Sequence, residues 1–577
     1  MSPLSRLFKE KISEALRQIG IEDSEDLIEI APCLREELGH HQTNIAFRIA
    51  KSLGKAPLEL ARALEEKLCL QNIAQSVQVT PPGFINVTWD QSFLAENLQA
   101  LLADPMLGIS PPKKERIVVE FSSPNIAKEL HVGHLRSTII GESLARLLEF
   151  QGHDVLRLNH IGDWGTQFGM LIAYIFSYKE QEWNSASLTL ERLMEWYREA
   201  KRCFDEDEEF RKKGQKAVVA LQGGDPAYRA VWEQICAISR TAFEEIYSLL
   251  GVEIQERGES FYQPEMPAMV EELERRGVVE LSGGAKCIFV PGFTNREGEP
   301  MPFMVQKSDG GYTYDTTDLA ALRQRVEVEK ADRIIVVTDS GQALHFQLLF
   351  GAAVKAGYYS REKVRMDHVT FGLVLGENRK KFKTRSGDTE KLVDLLNQAV
   401  EKAHLLVREK SPNLPEKEQA FLARVLGISS VKYADLASQR QKDYVFSYAR
   451  MLRFEGNTAI FLLYSYVRML GIQRNISTDP KTLLRSNMPH VEHPSEVALC
   501  LHLLRFADII AFISSNLEPH HLCEYLYQLA EKFNAFFRDC RVKGASEQNG
   551  RLCLVEAARQ VLEKGLCILG IPIIERM

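Results

Sequence analysis

The sequence predicts an α/β protein with a central parallel sheet, a smaller α+β domain before it and an all-α helical bundle after it. Residues 117–121 are a β-branched and aromatic run, residues 135–148 share an apolar helical face, and residues 155–158 are apolar again. Strand, helix and strand in so short a span form a βαβ unit. A second continuous apolar run, residues 334–337, is typical of a buried parallel strand. Beyond residue 391, apolar positions recur at helical spacing, which predicts the bundle.

Three domains are predicted from these patterns and from the linkers between them. Residues 1–110 combine helices with a strand–turn–strand pattern, and prolines near position 111 mark the end of this α+β domain. Residues 111–390 form a Rossmann-like domain whose two halves are separated by a charged helical insertion at about 176–260. Residues 391–577 form the helical bundle.

Composition indicates a soluble multidomain protein. The chain has 577 residues, which is too long for one core, and it is 45% hydrophobic and 26% charged. We expect a cytoplasmic protein, because no apolar run approaches the length of a membrane span and no signal-peptide core is present. We also expect a monomer. The 10 cysteines include no C-x-x-C pair, so no structural metal is expected. A net charge of −7 neither identifies nor excludes a nucleic-acid partner.

A pair of histidines follows the first strand of the predicted sheet. His131 and His134 lie beyond the carboxyl end of that strand, where open α/β sheets bind their ligands. They also lie at a helix N-terminus, which favours phosphate, and Gly133 lets a phosphate or flat ring approach the backbone. Taken alone, this spacing is equally compatible with two surface histidines.

A strongly basic segment follows the last strand of the predicted sheet. Residues 379–387 read Arg-Lys-Lys-Phe-Lys-Thr-Arg-Ser-Gly. Such a run is often a solvated charged surface, but this position favours a mobile loop that holds a triphosphate through Lys381 and Lys383. Neither a P-loop nor a G-x-G-x-x-G motif occurs, so nucleotide binding by those routes is disfavoured.

Several of these segments resemble class I aminoacyl-tRNA synthetases. The string His131-Val-Gly-His134 resembles the HIGH signature, and the basic segment resembles a KMSKS loop that lacks the last lysine, for which the family suggests Lys128 as a substitute. Longer strings are similar to arginyl-tRNA synthetases in particular; they are residues 42–47, 120–128, 135–141, 159–168, 455–458 and 533–537.

The resemblance implies an arginine–tRNA ligase that uses ATP with Mg²⁺, L-arginine and tRNA(Arg), without a membrane partner. The arginine carboxylate would attack the α-phosphate of ATP, and the terminal 2′-hydroxyl of a tRNA that is already bound would then attack the adenylate. His131 and His134 would stabilise the α-phosphate oxygens. The leaving pyrophosphate would be bound by Lys128, Lys381 and Lys383.

The resemblance also implies three sets of binding residues. The arginine pocket would comprise Glu120, Ser123, Asn125, Tyr314, Asp318 and Gln347. ATP would be bound by His131, Gly133, His134, Asp339, Gln342, His345, Lys381 and Lys383. Contacts to tRNA would come from Gln42, Asn44, Tyr464 and Arg468.

Some of these residues have an alternative structural interpretation. Glu120 could form an ion pair, and Asp318 could be a helix N-cap before residues 319–322. Gln42 and Asn44 fit a helix N-cap followed by core residues, and aromatic side chains in a bundle are more often core than base-stacking platforms.

Two other functions share part of this pattern. A small-molecule nucleotidylyltransferase would share the histidine motif and the sheet, but it would not need the long helical bundle. A non-catalytic tRNA-binding relative should have lost the histidines or the pocket carboxylates, and the sequence retains both.

Overall fold

The computed structural model of the chain describes residues 3–22, 25–33, 35–185, 188–380, 391–476, 483 and 487–577. The chain divides into two compact units: one comprises Lys113–Leu452 with Ile568–Gly570, and the other comprises Met1–Pro112, Arg453–Cys567 and Ile571–Met577. The division into domains at residues 110 and 390 stays a prediction. Residues 381–390, which include Lys381 and Lys383, lie outside the described residues.

The unit of residues 113–452 is built on a parallel sheet of five strands. Their order across the sheet is Arg365–Phe371, Arg333–Asp339, Arg116–Glu120, Asp154–Asn159 and Gln255–Glu256. The order reverses between Arg333–Asp339 and Arg116–Glu120, and such a switch point opens a crevice at the carboxyl ends of the strands. The α/β fold class predicted from the sequence is confirmed.

The helix Val132–Phe150 follows the first strand and packs closely on the sheet. The hydroxyl of Ser137 donates to the carbonyl oxygen of Val337 at 2.7 Å, which ties the helix to the neighbouring strand. Gly141 makes the close approach possible, because a Cβ at this position would lie 2.3 Å from Cγ of Phe121. These contacts fix the start of the helix, where the two histidines lie.

The predicted insertion is helical, and a small antiparallel sheet follows it. The α-helices are Thr166–Tyr174, Glu180–Ser185, Leu190–Glu206, Glu208–Gln222 and Pro226–Leu250. Two further helices, Glu259–Tyr262 and Met266–Arg275, lead into the strands Glu280–Ser282, Ala285–Thr294 and Pro300–Gln306.

The second half of the sheet is completed by more helices. Tyr314–Glu327 and Ala343–Lys355 flank the strand Arg333–Asp339. Apolar side chains from these helices and from the antiparallel sheet form one buried core with Val118, Ile334 and Val336 of the parallel strands. After a short strand, Val374–Leu375, come the helices Leu392–Lys410, Glu416–Leu436 and Tyr448–Met451 and the strand Tyr444–Val445.

The other unit contains an antiparallel sheet and two sets of helices. The strand order is Ile30–Pro32, His41–Thr43, Phe84–Trp89 and Ala74–Thr80. The helices before and after these strands are Pro3–Gln18, Ile45–Leu53, Pro57–Glu65 and Gln91–Ala103. The later part of the chain adds Ala459–Ile476, Pro494–Leu504, Phe506–Asn516, His520–Asp539 and Gln548–Ile568, the last of which ends beyond the limit of this unit.

One described stretch, Pro494–Asn516, is long and apolar enough to cross a membrane, with 23 residues and a mean hydropathy of 1.9. The expectation that no apolar run reaches that length is therefore wrong. A turn at Arg505 divides the stretch into two helices, and half of its most apolar window is buried inside the protein. Core helices of soluble proteins pass the same test of length and composition, so the stretch is weak evidence for a membrane.

Candidate active site

The two histidines cap the helix Val132–Phe150 and fix each other's proton positions. The backbone N–H of His131 donates to Nδ1 of His134 at 3.1 Å, and the N–H of Gly133 donates to Nδ1 of His131 at 3.0 Å. A neutral imidazole carries one N–H, so both rings must carry it on Nε2. Each histidine therefore has one N–H that is not used by the cap and that can donate to a ligand.

The environment keeps both rings uncharged near neutral pH. Burial, followed by the neighbouring His131 ring, lowers the pKa of His134 to about 3. Burial and the nearby charge of Lys128 also lower the pKa of His131. The rings lie 4.0 Å apart between centroids, so a second positive charge would be repelled. The pair is suited to donating neutral hydrogen bonds, and general acid–base catalysis would need a pKa nearer 7.

The loop before the histidines is held in an unusual backbone conformation. Ser122, Ser123 and Ala127 have φ values of 70°, 48° and 58°, which residues other than glycine rarely adopt. The backbone N–H of Ser123 donates to the Asn159 side chain at 2.9 Å, and that of Ala127 donates to the hydroxyl of Ser239 at 3.0 Å. Surrounding hydrogen bonds thus hold a strained loop, as is common at functional sites.

Asn125 lies on this loop against Gly162 of the adjoining one. The N–H of Gly162 donates to the carbonyl of Pro124 at 3.0 Å, and the N–H of Ile126 donates back to Gly162 at 3.1 Å. A Cβ at Gly162 would lie 2.1 Å from Oδ1 of Asn125. Only glycine therefore leaves the exposed Asn125 side chain where it is.

A cluster of carboxylates and imidazoles is formed by the helices Tyr314–Glu327 and Ala343–Lys355 and by the residue that follows the strand Asp154–Asn159. Nε2 of His345 lies 2.6 Å from Oδ2 of Asp318, and its Nδ1 lies 3.3 Å from Oδ1 of Asp315. On the other side, Nε2 of His160 lies 3.3 Å from Oδ1 of Asp318. The exposed ring of Tyr314 lies 5.1 Å from the His345 ring.

Contacts within the cluster shift the pKa values of Asp318 and His345 in opposite directions. Burial alone would raise the pKa of Asp318, but the close contacts with His160 and His345 outweigh it and hold that pKa well below its usual range. Burial alone would lower the pKa of His345, and the bonds to Asp315 and Asp318 outweigh it and raise it to about 9. Asp318 is therefore an ionised carboxylate within a partly dry site, its side chain 21% exposed.

The structure decides between the alternative interpretations of two pocket residues. Glu120 is buried and forms an ion pair with the buried Arg325 at 2.5 Å, as the structural alternative proposed. Asp318 is not a helix N-cap: the helix begins at Tyr314, and Thr313 is its cap. The predicted capping role is wrong because the helix starts one turn earlier than the apolar pattern indicates.

Three predicted nucleotide residues, Asp339, Gln342 and His345, lie where the strand Arg333–Asp339 leads into the helix Ala343–Lys355. Asp339 ends the strand Arg333–Asp339, and its carboxylate accepts the N–H of Gly341 at 2.8 Å in a turn that includes the exposed Gln342. His345 lies in the first turn of the next helix, Ala343–Lys355. Lys128 is exposed, with Nζ 6.0 Å from the ring centre of Tyr197. No hydrogen bond or ion pair among the described residues joins the histidine pair to the Asp318 cluster.

Known proteins match this chain along its length. The family models are the tRNA synthetases class I (R) catalytic domain at residues 97–448, the DALR anticodon binding domain at 462–577 and the arginyl tRNA synthetase N terminal domain at 6–89. An arginine–tRNA ligase of Protochlamydia amoebophila is 51% identical over 100% of this chain and 99% of its own length. The enzyme of Chlamydia felis is 48% identical over 100% of both chains.

The chain belongs to the arginyl-tRNA synthetase family. The arginyl-tRNA synthetase of Plasmodium falciparum is a similar solved structure, with a TM-score of 0.86 and 30% identity over 100% of both chains. That of Thermus thermophilus has the same fold, with a TM-score of 0.81 over 100% of both chains at 24% identity. As a member of the family the chain is a class I aminoacyl-tRNA ligase with an ATP-using catalytic domain, and the two alternative functions are not retained.

The residues predicted to contact tRNA in this synthetase lie in the other unit. Gln42 is in the strand His41–Thr43, and Asn44 precedes the helix Ile45–Leu53 without capping it through its side chain. Oδ1 of Asn44 is buried and has no hydrogen-bond partner among the described residues. Tyr464 is 42% exposed, and the guanidinium of Arg468 lies 4.9 Å from its ring centre and donates to Asn534 at 2.7 Å.

Three residues that contact the candidate active site were not predicted from the sequence. His160 and Arg325 are the partners of Asp318 and Glu120. Arg136 is a buried residue of the histidine helix Val132–Phe150, and its guanidinium donates to the carbonyl of Gly372 at 2.8 Å. His160 lies in residues 159–168, one of the segments that resemble arginyl-tRNA synthetases. Nothing in the local pattern distinguishes the two arginines from solvent-facing residues of amphipathic helices.

Proposed function

We propose that the chain activates L-arginine with ATP and transfers it to the terminal ribose of tRNA(Arg). The observation that carries this proposal is the ionised, half-buried Asp318 beside a second carboxylate, Asp315. A guanidinium offers a flat fork of donors and a permanent charge, which a carboxylate accepts through two oxygens. An ammonium offers a single point of charge, so this arrangement favours arginine over lysine.

Around Asp318 we propose the rest of the amino-acid pocket. The exposed Tyr314 would cover the guanidinium, Asn125 would hold the α-amino and carboxylate end, and Glu120 would act through its pair with Arg325. Ser123 and Gln347 complete the proposed pocket. Support comes from the position of the loop and helix ends at the carboxyl edge of the sheet, the usual ligand site in this class of fold.

For the first step we propose in-line attack by an oxygen of the arginine carboxylate on the α-phosphorus of ATP, taken with Mg²⁺. A carboxyl-to-phosphorus bond forms and the bond to the β-phosphate oxygen breaks, which releases pyrophosphate. His131 and His134 would donate from Nε2 to the α-phosphate oxygens as charge develops there. Positioning and charge stabilisation are sufficient, since no side-chain nucleophile is needed.

The remaining nucleotide contacts are proposed from the same geometry and from the family pattern. Gly133, Asp339, Gln342 and His345 would surround the nucleotide. Lys128 would meet the leaving pyrophosphate together with Lys381 and Lys383.

For the second step we propose attack by the 2′-hydroxyl oxygen of the terminal tRNA ribose on the activated carbonyl carbon. The ester bond forms, the hydroxyl proton is released, and AMP leaves with the electrons of the broken carbonyl–oxygen bond. Gln42, Asn44, Tyr464 and Arg468 would contact the tRNA. The unpaired Oδ1 of Asn44 and the exposed Tyr464 support a role in binding.

We further propose a cytoplasmic monomer that binds no membrane and no structural metal. All ten cysteines are free, which is compatible with a reducing compartment.

The test is amino-acid-dependent exchange between pyrophosphate and ATP across the twenty amino acids, with and without total tRNA. We expect exchange with arginine alone among them, and only when tRNA is present. Exchange with another amino acid, or none with arginine in the presence of tRNA, would overturn the proposal. Exchange without tRNA would overturn only the order of binding.

A further inference from the structure

His345 occupies the acidic cluster with both of its ring nitrogens. Nε2 lies 2.6 Å from Asp318 and Nδ1 lies 3.3 Å from Asp315. Oδ2 of Asp315 also accepts the backbone N–H of Met304 at 3.1 Å. One ring nitrogen of His345 is thus hydrogen-bonded to Asp318 and the other lies within ion-pair distance of Asp315. Two neighbouring carboxylates favour the positively charged imidazolium form of His345 in the free protein.

We infer that the His345 imidazolium is a stand-in cation for the substrate guanidinium, and that arginine binding expels its proton. This inference rests on the proposed function, because it takes arginine as the occupant of the Asp318 pocket. The bound guanidinium would take over the carboxylate oxygens of Asp318, and the His345 ring would lose the partner that keeps it charged. The proton passes to solvent, so each arginine bound exchanges with one proton.

The charges around His345 disfavour a second cation beside its imidazolium. Asp315, Asp318 and Tyr314 face His345 from the helix Tyr314–Glu327. Among the described residues, Asp315 and Asp318 are the carboxylates that form ion pairs with it. From the strand Arg365–Phe371 comes His368, whose pKa is lowered to about 4 by burial and by His345, so it stays neutral.

On the far side of Asp318 lie further titratable and charged groups. His160 is the second imidazole on this carboxylate, and Glu120 is neutralised by Arg325. Glu259 lies close enough to His160 and Asp318 to interact electrostatically with both, and burial raises its pKa to about 7. A guanidinium added to the pocket therefore competes directly with the His345 charge.

The exchange has a measurable pH signature. The pKa of His345 is raised to about 9, so at pH 7.5 the free ring is charged and the bound state releases about one proton. The apparent affinity for arginine should rise about tenfold per pH unit between pH 7 and 8, because release of one proton becomes more favourable as the proton concentration falls, and the slope should lessen as the pH approaches the pKa of His345.

The experiment is calorimetric titration of arginine into the full-length protein with tRNA(Arg) bound and no ATP. Repeating it at pH 7.5 in buffers of different ionisation enthalpy counts the protons released. We expect about one per arginine, and fewer than about 0.3 would overturn the inference. A flat affinity between pH 7 and 8.5 would overturn it as well.

Two variants assign the proton. His345→Gln can still donate to Asp318 but carries no charge, so its binding of arginine should release no proton and should not depend on pH. Release that persists in this variant would move the proton to another group, such as His160, and would overturn the inference. If the variant does not fold, the number of protons released by the natural protein and the pH dependence of its affinity for arginine still test the inference.

The matched control is His490→Gln. His490 also lies between two carboxylates, with Nδ1 2.9 Å from Glu496 and Nε2 3.5 Å from Glu492, but in the other unit. It should release as many protons as the natural protein. Binding of arginine without proton release would remove this inference and leave the proposed function intact, whereas absence of arginine binding and of arginine-dependent exchange would remove both.

Discussion

The guanidinium of Arg136 and the carboxylate of Asp435 form an ion pair at 3.2 Å, with the two side chains 1% and 0% exposed. Arg136 lies one turn into the histidine helix, and Asp435 lies in the helix Glu416–Leu436. The same guanidinium donates to the carbonyls of Gly372 and Lys442 at 2.8 and 3.1 Å. A single buried cation therefore joins the candidate active site to a helix and two loops that are distant in sequence.

Removing this cation should destabilise the protein strongly. Arg136→Met leaves Asp435 buried without its partner, which typically costs about 3–5 kcal/mol and should lower the thermal transition by about 5 °C or more. The control is Arg192→Met, which breaks surface pairs with side chains 45–49% exposed and should change little. Equal transitions for the two variants would contradict the role of Arg136.

The histidine pair should act on the rate of adenylate formation and much less on binding. His134→Ala removes a neutral donor that strengthens as phosphate charge develops, so we expect a loss of about 100-fold or more in the activation rate. His134→Gln can place an N–H near the position of Nε2 and should recover part of it. Single-turnover adenylate formation measures this, and a raised KM with unchanged kcat would contradict the assignment.

His134 should make the folded state less stable at acid pH. The unfolded His134 ring takes up a proton near pH 6.5, and the folded ring does so only at about pH 3. Below pH 6.5 the unfolded state therefore binds more protons, so stability falls as the pH falls. His134→Gln lacks this contribution, and its thermal transition should move upward relative to the natural protein between pH 7.5 and pH 5. If the thermal transitions of the variant and the natural protein differed by the same amount at pH 7.5 and at pH 5, a neutral His134 ring in the folded state would be contradicted.

Asp318 should control the affinity for arginine. Asp318→Asn keeps the shape of the side chain and removes its charge, so the KM for arginine should rise about 100-fold or more, as for truncation of a buried charge pair. The control Glu518→Gln changes a carboxylate of similar exposure, 23% against 21%, which also contacts a histidine. That control should keep the normal KM. A normal KM for Asp318→Asn would remove this residue from the pocket.

Gly162 offers an independent test of the loop that carries Asn125. Gly162→Ala would push the Asn125 side chain away, because the added carbon would lie 2.1 Å from its Oδ1. We expect the KM for arginine to rise by about tenfold if Asn125 holds the α-amino and carboxylate end. Aminoacylation at varied arginine concentration measures this effect, and an unchanged KM would mean that Asn125 makes no contact with arginine.

The order of helices and strands and the position of the histidine motif followed from sequence alone. Apolar periodicity is a local property, so the strand Arg116–Glu120, the helix Val132–Phe150 and the later helical segments could be predicted from residues close in the chain. The motif residues could be located in the same way, because strand ends in a parallel sheet define where ligands bind.

Tertiary structure alone decided which charges meet. Asp318 contacts His160 and His345, and Arg136 contacts Asp435 across 299 positions of sequence. Burial and partner charges, which set whether an imidazole is neutral like His134 or charged like His345, depend on these distant contacts. No local pattern contains them, and so the charge state of the candidate active site could be read only from the folded chain.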